Sequence, residues 1–145
     1  MTSFELKSRQ HYSFFMSINT RWMDNDTYGH VNNVAYYSYF DTLVNSYLIE
    51  CAKFDIHQDK VVGFVVASSC DYYSPISFPD RIEAALRINA LGNRSVEYGV
   101  AIFKQGEPTA SASGCFTHVF VDRELGRSVS IPEHIRDALE KTNEI

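Results

Sequence analysis

The stretch NVAYYSYFDTLVNSYLI, residues 33 to 49, decides how this chain folds. Its aromatic and aliphatic residues return every three or four positions, the spacing of one helical turn: Tyr36, Phe40, Leu43, Val44, Tyr47 and Leu48. Polar residues form only a narrow stripe between them, at Ser38, Asp41, Thr42 and Asn45. A helix that is apolar around most of its circumference is a buried helix. The stretch therefore predicts one long helix, capped by Asn32 or Asn33 and wrapped by a sheet.

Predicted strands lie on both sides of this helix in the sequence. Before it, residues 14–22 alternate between apolar and mostly polar side chains, as in a strand with one buried face. After it, strands are predicted at 61–73, 81–90, 96–102 and 109–121, and a short terminal helix at 132–141. One strand, one buried helix and about four meandering strands predict an α+β fold with a curved antiparallel sheet around the helix. The pattern leaves the strand order open.

Length and composition limit the classes of protein to which the chain can belong. Its 145 residues predict a single domain, residues 1–145. The net charge of −5, from 18 acidic and 13 basic residues, argues against a nucleic-acid partner. No apolar run approaches the ~20 residues that span a membrane, and no signal peptide is visible, so we expect a cytoplasmic protein without a membrane partner. Three separated cysteines predict neither a zinc site nor a disulfide framework.

The segment RWMDNDTYGHVNN, residues 21 to 33, contains the candidate catalytic residues of the chain. It places two carboxylates, an imidazole and a turn glycine between the first strand and the helix. A carboxylate beside a helix start lies where the helix can also polarise a carbonyl or attract an anion. Asp26 is the candidate for this role, whereas Asp24 is expected to support the turn or to pair with Arg21. By residue type alone, Asp26 is also explained as an ordinary turn carboxylate.

The pattern Arg-x-x-Asp-x-Asp-x-x-Gly-His-Val-Asn-Asn before an aromatic-rich helix resembles the hotdog-fold acyl-CoA thioesterases of the 4-hydroxybenzoyl-CoA thioesterase group. The likeness continues at residues 76–88, 91–95 and 131–132, and so covers nearly the whole chain. It implies a helix lying in a curved sheet, and two subunits that pair to complete the active sites. It also implies hydrolysis of a thioester to a carboxylic acid and coenzyme A. Plant acyl-ACP thioesterases carry a similar Asp…His-Val-Asn-Asn segment, which keeps a carrier-protein substrate open.

The motif offers three kinds of catalytic group: a carboxylate, an imidazole and backbone N–H groups. Asp26 matches the catalytic aspartate of the group, acting as nucleophile or as base for the attacking water. His30 matches a histidine that resembles the catalytic one of the acyl-ACP enzymes, and a structural histidine near a helix start is the other interpretation. Backbone N–H groups near Asn32 and Asn33 would stabilise the charge that develops on the thioester oxygen.

Four further residues are expected to bind the substrate. Gly29 lets the backbone approach the thioester without a Cβ in the way. Tyr28 stands where the acyl-ACP pattern has Asn, which counts against an acyl-ACP substrate. Arg94 and Ser95 match a region that often lies near the nucleotide in related enzymes. Solvated strand-end charges are the alternative interpretation of Arg94 and of two further basic candidates, Lys104 and Arg87.

The resemblance also predicts a homodimer or homotetramer that acts on acyl-CoA without a cofactor. A metal site built from Asp24, Asp26 and His30 is not expected, because no second histidine or cysteine lies at ligand spacing. A non-catalytic acyl-CoA-binding or regulatory hotdog module remains the alternative from another class, and the retention of Asp26 argues against it. Acyl length, and aromatic against aliphatic substrate, stay open.

Overall fold

The computed structural model describes residues 5–143, in which two α-helices and six strands form the framework. In chain order they are β1 (Phe14–Asn19), α1 (Asn33–Ala52), β2 (Val61–Tyr72), β3 (Arg81–Leu91), β4 (Ser95–Lys104), β5 (Ala112–Asp122), β6 (Arg127–Ser128) and α2 (Glu133–Asn143). The first strand stops at Asn19 and not at residue 22, because a 3₁₀ turn occupies Trp22–Asp24. Neither helix of this framework is long and apolar enough to cross a membrane.

The strands form one antiparallel sheet in the order β1-β3-β4-β5-β2, and the short β6 pairs with β5. β3, β4 and β5 follow one another as a meander, but β2 pairs with β5 and not with β3. The expected meander of four strands is therefore wrong in the position of β2. Pro75 and Pro79 lie between β2 and β3, where regular pairing is blocked, and this segment leads the chain from one edge region of the sheet to the other.

α1 lies against the concave face of the sheet and carries the centre of the core. The side chains of Phe40, Leu43 and Val44 are completely buried. Burying side chains of this kind stabilises the fold by about 1.5–3 kcal/mol each. The helix runs to Ala52, beyond the predicted end at residue 49, and Lys53 closes it in the left-handed conformation, with φ of 57°. The prediction of a buried helix inside a curved antiparallel sheet is confirmed.

Two irregularities in strand pairing help the sheet to curve. The pairing register shifts between Val65 and Ala67 of β2, and again between Ile88 and Ala90 of β3. An extra residue in one strand of a pair bends that strand and increases its twist. The sheet can therefore wrap around a helix that is apolar on most of its surface.

β2 is a free edge of the sheet. This twelve-residue strand pairs with β5 on one side only, within the described part of the chain. The side chains of Phe64, Val65 and Val66 are 52%, 46% and 59% exposed. A long, apolar, exposed edge is a template for pairing with another chain.

The segment before β1 covers part of the convex face. Tyr12 meets Phe103 edge to face, with ring centroids 6.0 Å apart, and packs in a small second core with three alanines. Arg9 donates to the Glu83 carboxylate at 2.8 Å and lies 4.5 Å from the centroid of the Phe103 ring. These contacts hold the N-terminal segment across the sheet.

Candidate active site

The loop between β1 and α1 folds into a small hairpin that carries the motif. Asn25 and Val31 form an isolated antiparallel bridge at its base. Inside it, the Asp26 N–H donates to the His30 carbonyl at 2.9 Å, and the Gly29 N–H donates to the Asp26 carbonyl at 3.1 Å. Gly29 has a φ of +84°, a backbone conformation that residues with a Cβ rarely adopt. The turn chemistry of the sequence therefore brings Asp26 and His30 side by side.

Asp24 anchors this hairpin to the core. Its buried carboxylate accepts hydrogen bonds from the Tyr39 hydroxyl at 2.7 Å and from the Arg21 guanidinium at 3.1 and 3.2 Å. Burial acts to raise the pKa of Asp24, but the hydrogen bonds from Tyr39 and Arg21 outweigh it and hold the pKa below its usual value. Asp24 thus has the supporting role that the sequence predicts for it, with Arg21 as its partner.

The backbone N–H groups at the start of α1 are candidate donors to a substrate. The Asn32 side chain caps the helix by accepting from the Val34 N–H at 3.0 Å, and the Asn32 N–H donates to the Asp24 carbonyl at 2.8 Å. The Asn33 N–H has no acceptor among residues 5–143. The N–H groups of a first helical turn lack intrahelical partners and carry the positive end of the helix dipole. Asn33 can therefore donate to a substrate oxygen.

An open cleft of about 320 Å³ lies at this helix start. His30 and Asn33 line it, and the rest of its wall is formed by three tyrosines and three other residues: Tyr36, Tyr72, Tyr73, Val31, Ser74 and Pro75. The rings of Tyr36 and Tyr72 meet edge to face at 5.0 Å. Burial raises the pKa of Tyr36 to about 12, so its hydroxyl stays protonated at neutral pH.

Asp26 and Tyr28 lie outside the wall of this cleft in a single chain. The Asp26 carboxylate accepts from the Tyr28 N–H through Oδ1 at 2.8 Å, and Oδ2 accepts no hydrogen bond within the described range. Oδ2 is therefore available as a base or nucleophile. The Tyr28 side chain is 86% exposed. No three His, Cys, Asp or Glu side chains in residues 5–143 are grouped to hold a metal ion.

Arg94 and Ser95 lie at the opposite end of the sheet. β3 begins at Arg81, paired with Asn19 beside the motif, and the β3–β4 hairpin follows eleven strand residues later, roughly 36 Å away at about 3.3 Å per residue. The Arg94 guanidinium donates to the carbonyl and hydroxyl of Ser128. The structure therefore does not bring Arg94 or Ser95 to the cleft of their own chain.

Sequence reasoning missed the Tyr72–Tyr73 wall of the cleft. Tyr72 ends β2, and its hydroxyl donates to the Asn33 carbonyl at 3.3 Å. The Tyr73 N–H donates to the Ser111 carbonyl at 2.8 Å, which fixes this ring where β2 leaves the sheet. The signal for this wall is the Tyr-Tyr pair directly before Ser74-Pro75, where a strand must stop.

The curved sheet, the enclosed helix and the polar hairpin at its start together define a hotdog-fold protein. The chain belongs to the thioesterase-like superfamily, whose family model matches residues 20–139. Membership supports thioester hydrolysis as the general activity, without specifying the substrate or the catalytic residues.

Similar proteins extend over nearly the whole chain. The solved PA5185 protein of Pseudomonas aeruginosa is 54% identical, with a TM-score of 0.91 over 94% of this chain and 95% of that one. The YsmA protein of Bacillus subtilis is 28% identical over 88% of this chain and 86% of its own length. A 1,4-dihydroxy-2-naphthoyl-CoA thioesterase from Synechocystis shares the fold at 16% identity, with a TM-score of 0.78 over 87% of this chain and 94% of that one.

Proposed function

We propose that this protein is an acyl-CoA thioesterase in which Asp26 is the catalytic carboxylate. The observation that carries the proposal is the Asn33 N–H at the start of α1, which has no acceptor among residues 5–143 and lies on a cleft with three tyrosines, directly beside the Asp26–His30 hairpin. Superfamily membership supports the general reaction. The resemblance to the 4-hydroxybenzoyl-CoA thioesterase group supports the assignment of Asp26.

In this mechanism the thioester carbonyl oxygen accepts a hydrogen bond from the Asn33 N–H. The helix start then stabilises the negative charge that develops on this oxygen as the carbonyl carbon is attacked. The Asp26 carboxylate either attacks the carbon, giving an acyl-aspartyl anhydride that water hydrolyses, or takes a proton from a water that attacks directly. The thiolate of coenzyme A leaves without a strong acid, because a thiol has a pKa of about 8.5. His30, on the cleft wall, orients the water.

The site is completed by a second copy of the chain that pairs along β2. The Tyr72 end of β2 lies at the cleft and the Val61 end lies towards Ser95, because Tyr72 pairs with Ala112 while Val119 pairs with Ser95. A twofold antiparallel pairing of two β2 edges therefore brings the Arg94 end of one copy to the cleft of the other. This homodimer, alone or doubled into a tetramer, places Arg94 and Ser95 where CoA phosphates can reach them.

Asp26→Asn tests the assignment against a panel of aromatic and aliphatic CoA thioesters. The substitution keeps size but removes nucleophilicity and basicity, so we expect kcat to fall about 10²–10⁴-fold with little change in KM. Asp24→Asn is the matched variant. We expect it to lower the free energy of unfolding, and to reduce kcat far less than Asp26→Asn does. A larger loss of kcat from Asp24→Asn would reverse the assignment within the pair. Binding of acyl-CoA without turnover by the wild type would favour the non-catalytic module.

A further inference from the structure

A second cavity, of about 390 Å³, adjoins the cleft. We call it the lysine pocket and define it by Lys7, Tyr73, Lys104 and Glu107, which line it. Tyr73 and Ser74 line both cavities, so the two are neighbours along one wall. A ligand seated in the cleft can therefore extend into the lysine pocket of the same chain.

Tyr73 joins the two cavities and fixes one of the lysines. The Lys7 ammonium lies 4.2 Å from the centroid of the Tyr73 ring, an attractive arrangement for a cation and an aromatic face. The Tyr73 hydroxyl is bonded to the Ser113 hydroxyl at 2.6 Å, which holds the ring. The Lys7 carbonyl accepts from the Ala110 N–H at 2.9 Å, which holds the backbone. Lys7 is therefore positioned before any ligand arrives.

Among the described residues, no ion pair balances the two lysines of the lysine pocket. Lys7 and Lys104 are half-buried, and neither forms an ion pair with a described residue. Glu107 is the one acidic residue among those that line the pocket. In a chain of net charge −5, two half-buried lysines facing one cavity mark a site for an anion.

We propose that the lysine pocket binds phosphate groups of the coenzyme A nucleotide, on the same subunit as the cleft that holds the thioester. The inference rests on the proposed acyl-CoA substrate and assigns a binding role to Lys7 and Lys104 of the chain that carries out hydrolysis. A lysine ammonium binds phosphate as a compact point charge with three donors. The concave shape of the pocket suits a small phosphate group.

The test compares an acyl-CoA with the matching acyl-pantetheine, which lacks the phosphates. For Lys7→Gln and Lys104→Gln we expect KM for the acyl-CoA to rise about five-fold each, with kcat unchanged and with no change for acyl-pantetheine. The Kd of coenzyme A and of adenosine 3′,5′-bisphosphate, measured by calorimetry, should rise by the same factor. Glu107→Gln should lower these values. Lys141→Gln, an exposed lysine of α2 away from the pocket, should leave them unchanged.

The outcomes separate this inference from the proposed function. Turnover with unchanged KM and Kd in both lysine variants overturns the lysine pocket and leaves the thioesterase standing. Weaker coenzyme A binding in those variants without turnover by the wild type supports the pocket and refutes the hydrolase. Inorganic phosphate that binds at the lysines without competing with coenzyme A would overturn the assignment in favour of a separate phosphate site.

Discussion

Replacing Tyr39 with phenylalanine tests whether the buried Asp24 anchors the active-site hairpin. The Tyr39 hydroxyl donates to Asp24 Oδ2 across 2.7 Å in the interior, and the substitution removes only that oxygen. A hydrogen bond to a charged group contributes about 1.5–3 kcal/mol to stability. Because Asp24 keeps its bonds to Arg21, we expect the free energy of unfolding to fall by about 2 kcal/mol, a factor of about 30 in the folding equilibrium.

Urea unfolding at one fixed protein concentration measures this loss, since the stability of an oligomer depends on concentration. Tyr28→Phe is the matched control, because its exposed hydroxyl makes no hydrogen bond to a described residue, and we expect a change within about 0.5 kcal/mol. In an Asp24→Ala background, Tyr39→Phe should cost nothing further. The anchoring role would be refuted if Tyr39→Phe lowered the free energy of unfolding equally with and without Asp24, or if Tyr39→Phe and Tyr28→Phe lowered it equally.

Two further predictions concern the interior and the free edge. Burial among three aromatic rings lowers the pKa of His118 from 6.5 to about 4. As the pH drops, a proton binds the unfolded chain first, so stability is complete above pH 6.5 and falls by about 3 kcal/mol toward pH 4. In urea titrations, His118→Gln should remove this part of the pH dependence of the free energy of unfolding, and exposed His57→Gln should not. If the free energy of unfolding of His118→Gln still falls between pH 6.5 and pH 4 as it does in the wild type, the reasoning is contradicted. Val66→Lys places a charge on β2, and sedimentation should then give a 16.5 kDa species, where the wild type gives about twice that mass as a dimer or about four times that mass as a tetramer. A wild-type monomer at micromolar concentration would rule out the pairing of two copies.

Features with a local signal could be predicted from the sequence. The apolar pattern of residues 33–49 predicts one helix that is buried on nearly all sides, and in the structure the curved sheet packs around this helix. The two carboxylates of the motif could also be told apart in part, because Arg21 lies three residues before Asp24 and forms the expected ion pair at 3.1 Å. Both conclusions depend only on residues close together in the chain.

Relations between distant segments could not be predicted in the same way. Alternating side chains assign each residue to a face of its strand but do not say which strand lies beside it. For this reason the sequence leaves the strand order open, and β2, a strand of the predicted meander, lies beside β5 at the edge of the sheet. The distance of Arg94 from the cleft and the shared wall at Tyr73 also depend on how distant strands pair, so neither could be predicted from the sequence.

Because β2 is exposed along its length, the chance that a newly made chain assembles correctly depends on how many copies are near it. If a second copy is what covers this strand, a chain made at a low rate spends longer with Phe64, Val65 and Val66 facing water. During that interval any extended segment of another protein competes for the same row of backbone groups. The expression level of the gene would then determine the fraction of chains that reach the paired state, as well as the number of chains made.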